Sequence, residues 1–140
     1  MPTELSPEQL IDRIPYFKAL TGTARKEVLR AWQRRPVGAG QLLFSQGEPT
    51  AGLYAVAAGQ VRIFTMSLEG KEQGLHLIGP GETFNDVSTF DGGPNPANAL
   101  TLEASILYHL GRATLLGLME SQPALALGAE PDINNRVRFA

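Results

Sequence analysis

The sequence predicts a mainly β protein, an antiparallel sandwich or barrel with short helices at its flanks. From Val37 onward, short apolar runs such as "QLLFS", "GLYAVAAG", "VRIFTM", "QGLHLIG", "ANALTL" and "SILYHL" follow one another. Their spacing of about 8–12 residues suits strands joined by tight corners. Turn signals separate them, among them "GAG", "QGEP", "LEGK", "GPGE" and "DGGP". The 15 glycines and 10 prolines in 140 residues likewise favour corners over long helices.

Before the strands, "LSPEQLIDRI" predicts a short amphipathic helix. Ser6 caps it, Pro7 takes the first position, Gln9 completes a capping box, and Leu10, Ile11 and Ile14 form the apolar side. Thr21 is the expected cap of a second helix, with Ala24, Val28, Leu29 and Trp32 at helical spacing until Pro36 stops it. That register puts Arg30, Arg34 and Arg35 on its outer face. About eight strands follow, and "RATLLGLME" predicts a closing helix that ends before Pro123.

Composition excludes several function classes. Twelve basic against 14 acidic residues give a formal net charge of -2, so no overall positive field draws the chain to nucleic acid or anionic lipid. The absence of cysteine removes disulfides, thiolate metal sites, iron–sulfur clusters and cysteine nucleophiles. The stretch "MPTELSPEQL" has neither a basic segment nor an apolar run, and no membrane-length apolar run occurs, so a cytoplasmic protein is expected. No nucleophile elbow, zinc helix or P-loop is present, and no catalytic role is expected. His76 and His109 stand in separate strand-like runs, without the clustering a metal site needs, and read as structural histidines.

"GLYAVAAGQVRIF", "GPGETF" and "FDGGPNPA" stand in the order helix, helix, strands, glycine-rich loop, strands, helix. In that order they resemble the cyclic nucleotide-binding domain of the Crp/Fnr transcription regulators over roughly residues 10 to 120. The resemblance implies a double-stranded β-helix, the jelly-roll or cupin-like β-roll, with a regulatory small-molecule-sensing role. It also implies a phosphate-binding cassette of the form F-G-E-L-A, a turn, then R-S-A or R-T-A. Its glutamate would take a ribose hydroxyl and its arginine a cyclic phosphate.

Laid on "FNDVSTFDGGPNPANA", residues 84–99, the cassette glycine falls on Asn85, the glutamate on Asp86, the leucine on Val87, the arginine on Asn95, the serine or threonine on Pro96 and the alanine on Ala97. Only Phe84 and Ala97 keep the pattern. Leaving a buried phosphodiester without its cation costs on the order of 3–5 kcal/mol, against about 8 kcal/mol in a micromolar complex. Pro96 also removes a hydroxyl and an amide donor. Tight cyclic nucleotide binding is therefore disfavoured, and no cofactor is expected.

Asn85, Asp86, Asn95 and Asn98 could instead hold a neutral polar or weakly basic molecule. Asn85 and Asp86 could equally brace the turn. A ligand-free protein-interaction module on the same roll is the remaining alternative.

Family members continue into a dimerisation helix and a helix-turn-helix. Here Gly128, Pro131 and Asn134-Asn135 interrupt the place of that helix. The expected division is a sensor-like domain over 1–120 and an irregular tail over 121–140, without a helix-turn-helix and without DNA binding by this chain alone. A small-molecule effector and a homodimer remain compatible with it.

Overall fold

The computed structural model describes residues 3–123 and 125. Helix α1 (Pro7–Arg13) opens with the expected capping box: the Ser6 hydroxyl accepts from the Gln9 amide at 3.1 Å, and the Ser6 amide donates to the Gln9 side chain at 2.9 Å. Leu10 and Ile11 are buried beneath it.

The second helix differs from expectation at both ends. In α2 (Gly22–Ala31), Thr21 occupies the cap position, yet its side chain makes no capping bond. The helix also stops before Pro36, and the chain turns at Trp32 into strand β1 (Gln33–Val37). Arg34 and Arg35 therefore lie on a strand, not on the outer face of α2. Proline is tolerated there because β1 is an edge strand, where one side needs no ladder donor. Arg34 is held by two bonds of 2.8 Å to the Glu4 carboxylate.

The remaining strands are β2 (Leu42–Phe44), β3 (Leu53–Ala58), β4 (Val61–Met66), β5 (Glu72–Ile78), β6 (Thr83–Phe84), β7 (Asn98–Thr101) and β8 (Ser105–Leu110). They form two four-stranded sheets, of order β1-β8-β3-β6 and β2-β7-β4-β5, with every pairing antiparallel. The fold is mainly β and antiparallel, as the short apolar runs and glycine corners predict, and takes the β-roll form that the resemblance implies.

All six residues of β3 are buried, because both of its faces are covered. Leu53, Ala55 and Ala57 pack with Leu10, Phe17, Val28 and Leu115 under the helices. Tyr54 and Val56 point the other way, against Phe44, Val61, Phe84 and Leu107 between the sheets. Tyr54 and Phe84 stack at 5.1 Å with an interplanar angle of 6°.

Two further short helices lie among the described residues. α3 (Asp86–Asp91) occupies part of the stretch expected to be a glycine-rich loop, and α4 (Arg112–Ser121) packs against α2 and α3. Its Leu115 is buried, and Leu125 beyond it joins the same core. The rest of the expected irregular tail, residue 124 and residues 126–140, lies outside the described residues. Among the described residues no helix is long and apolar enough to cross a membrane.

Gly59 links β3 to β4 at φ +94, and a Cβ there would lie 2.1 Å from Ser105 Oγ and 2.8 Å from Ser105 Cα. Gly40, at φ +71, has open space around it. Gly59→Ala should therefore lower stability in urea unfolding by more than the roughly 1–3 kcal/mol of left-handed backbone strain alone, whereas Gly40→Ala should stay within that range.

Candidate functional site

Between the β4–β5 hairpin and α3 lies a cleft of about 420 Å³, large enough for a small ligand. Ile63, Phe64 and Thr65 line it from β4, and Gly74, His76, Leu77 and Ile78 from β5. Glu82, Thr83 and Phe84 close one end, with Asn85, Asp86, Val87, Pro96 and Ala97 from the cassette stretch. Five of the seven residues singled out in the sequence thus meet at one cleft, while Asn95 and Asn98 do not line it.

Asn85 is the one non-glycine residue with positive φ among the described residues, at φ 67 and ψ 23. This left-handed turn lets the chain leave β6 and enter α3, and asparagine tolerates it better than most side chains. The Asn85 side-chain nitrogen donates to the Gly52 carbonyl at 2.9 Å and to Asn95 Oδ1 at 3.1 Å. Two acceptors fix the orientation of the amide, and Oδ1 is left buried without a hydrogen-bond partner.

Asp86 is buried inside the fold. Its carboxylate accepts from the Tyr16 hydroxyl, in the segment after α1, and from Thr83 Oγ1 at 2.7 Å. Tyr16 packs edge-on against Phe90 of α3 at 5.4 Å. The aspartate thus ties the cassette helix to the N-terminal segment, and its two donors come from the protein itself. This is the bracing arrangement weighed for the turn.

Asn95 is a buried hub. Its Oδ1 accepts from the Ala51 amide at 2.9 Å and from Asn85, and its Nδ2 donates to the carbonyls of Ser45 at 3.0 Å and Pro49 at 3.3 Å. The side chain that aligns with the cassette arginine therefore holds the β2–β3 connection. Asn98 is similarly engaged, accepting from the Gln46 amide at 2.9 Å and donating to the Phe64 carbonyl at 3.4 Å. Pro96 is exposed and Ala97 buried on the cleft wall.

No lysine or arginine lines the cleft among the described residues. Arg62 stacks on Phe64 at 4.5 Å from the ring centroid and pairs with Glu72. Sequence reasoning missed the β4–β5 wall, because Ile63, Leu77 and Ile78 look like ordinary strand residues until the hairpin faces the cassette.

The two histidines separate. His109 Nε2 lies 2.7 Å from the Ala51 carbonyl oxygen and its ring is 4.7 Å from Tyr54, so it is structural as expected. His76 is instead exposed on β5 and lines the cleft. No metal-ligating group of three or more carboxylates and histidines occurs among the described residues.

Residues 34–122 match the model of the cyclic nucleotide-binding domain. The chain belongs to this family. Over 126 residues it is 36% identical to the cyclic AMP receptor protein of Thermus thermophilus, covering 90% of this chain and 58% of the relative. It is 33% identical over 95 residues to the fumarate nitrate reduction regulatory protein of Klebsiella oxytoca, covering 66% of this chain and 37% of that protein. The crystal structure of the Thermus thermophilus catabolite activator protein matches with a TM-score of 0.80 at 35% identity, covering 89% of this chain and 59% of that one. The chain therefore spans 58% or less of its curated relatives described here. The β-roll is that of the cyclic nucleotide-binding domain, and the stretch that aligns with the cassette lines part of the cleft, whereas its buried side chains here serve the fold.

Asn95→Ala should remove four side-chain hydrogen bonds and leave buried backbone groups unpaired, lowering stability by about 2–4 kcal/mol. Exposed Pro96→Ala should change it by less than about 1 kcal/mol, both read from urea midpoints.

Burial pushes the His109 imidazole below its ordinary value, the Ala51 carbonyl opposes this, and the charge of Arg35 adds to the fall. The folded state thus favours neutral His109. Its contribution should be complete above the unfolded value of about 6.5 and be lost as pH falls toward the lower folded value. His109→Gln should flatten that part of a stability–pH curve.

Proposed function

We propose that this cyclic nucleotide-binding domain is a non-catalytic, regulatory sensor module of the Crp/Fnr type, and that its cleft does not bind cAMP or cGMP tightly. The observation that carries the reading is an open cleft lined by the stretch that aligns with the family's cassette, with no lysine or arginine among the described residues on its walls. A cyclic phosphate placed there would meet Glu82 but no lysine or arginine among the described residues. The open volume favours small-molecule sensing over an interaction module whose pocket is filled by side chains.

In a complete regulator, ligand occupancy would bias the position of elements packed on the cassette. α3 is the element placed to carry this, because it borders the cleft on one side and packs against α4 and Tyr16 on the other. DNA recognition would then require residues outside the roll.

Isothermal titration of the chain with cAMP and with cGMP tests the proposal. Neither should give saturable binding below about 1 mM, roughly a thousandfold weaker than a micromolar sensor. A micromolar Kd for either nucleotide overturns it. Asn95→Arg should not restore binding, because it sacrifices the hub that holds the β2–β3 connection; recovery of micromolar affinity with an intact fold would contradict that account.

A further inference from the structure

The chemistry of the cleft selects a ligand class. Its walls are largely apolar, with Ile63, Phe64, Ile78, Val87 and Ala97 facing the same space. Its polar equipment is weighted toward acceptors and negative charge. Glu82 lines the cleft and is exposed, and one of its oxygens accepts from the Gly79 amide at 2.9 Å, which fixes the carboxylate at that end. Asn85 lines the same space, and its side-chain oxygen is buried without a hydrogen-bond partner. A buried acceptor without a donor is a standing cost that an entering N–H group can remove.

Among the described residues no lysine or arginine lines the cleft, and His76 is the wall residue able to carry positive charge. Arg62 is held by Glu72 and the Phe64 ring, and Arg13 packs against Gly81, which is not part of the wall. An anion entering the space would be repelled by the Glu82 carboxylate, since like charges repel. An ammonium would gain from the same field. Burying a cation next to apolar walls is tolerated when a carboxylate pairs with it.

We infer that the cleft takes an apolar small molecule bearing a protonated amine, with Glu82 as the specificity-determining residue. This deepens the sensor reading and rests on it. The aromatic or aliphatic body fills the space between the β4–β5 hairpin and α3, and the ammonium lies toward Glu82. A shift of the Asn85 side chain would bring its free oxygen within reach of a second N–H.

Two probes with the same ring and opposite charge test this: tryptamine and indole-3-propionate, titrated calorimetrically against the wild-type chain. Tryptamine should bind at least about tenfold more tightly. Glu82→Gln keeps the oxygen that accepts from Gly79 and should erase the difference. Pro96→Arg adds a cation to an exposed wall position and should turn the preference toward the propionate.

Equal affinities in the wild type, a preference for the anion, a preference unchanged in Glu82→Gln, or no saturable binding of either probe overturns the inference. Micromolar binding of cAMP or cGMP would separately overturn the proposal that the cleft does not hold these nucleotides tightly. Absence of nucleotide binding together with charge-blind binding of the two indoles would sink only the ligand class.

Discussion

Strand β3 is buried along its whole length, and that constraint organises the other layers. Its alternate side chains supply two different cores, one beneath the helices and one between the sheets. Burying large apolar side chains contributes roughly 1.5–3 kcal/mol each, so a strand that feeds both cores couples them. The aromatic stack of Tyr54, Phe84 and Phe44 continues this coupling to β6 and β2. Phe84 immediately precedes Asn85, so the start of the cassette is fixed by the same packing that holds the roll together.

The cassette stretch shows how a site can keep its shape after its polar groups have taken other partners. A ligand-binding asparagine needs free donors or acceptors directed into the cleft. Asn95 has both side-chain atoms engaged by the backbone of the β2–β3 connection or by Asn85. Asp86 points toward Tyr16 and Thr83 for the same structural purpose. Hydrogen bonds inside the fold carry no translational cost of capturing a ligand, so they persist whether or not the cleft is filled. What faces the open space is then a mainly apolar wall with Glu82 and His76.

His109 and Gly52 connect the strands to this region. Gly52 has φ +99, and a Cβ there would approach His109 Nε2 to 2.6 Å and the Leu110 carbonyl oxygen to 2.9 Å. Its own carbonyl accepts from Asn85. A side chain at 52 would therefore disturb the imidazole and the cassette turn together. The close approach accounts for glycine at the entry to β3.

Local rules made much of the fold legible in the sequence alone: the capping box at Ser6, the apolar runs of β3, β4 and β8, the corners with glycine, and the closing helix all depend on neighbours within a few residues. The same rules misplaced the end of α2, since whether Pro36 stops a helix or sits on a sheet edge depends on β8, more than sixty residues away. The family resemblance located the cassette stretch, and residue type alone showed its missing cation. Only tertiary structure decided which amides face a ligand and which face the protein, and brought His76 and Glu82 to the cleft wall. Hydrogen-bond partners of a buried side chain come from segments distant in the chain, and nothing in its local pattern records where those segments will lie.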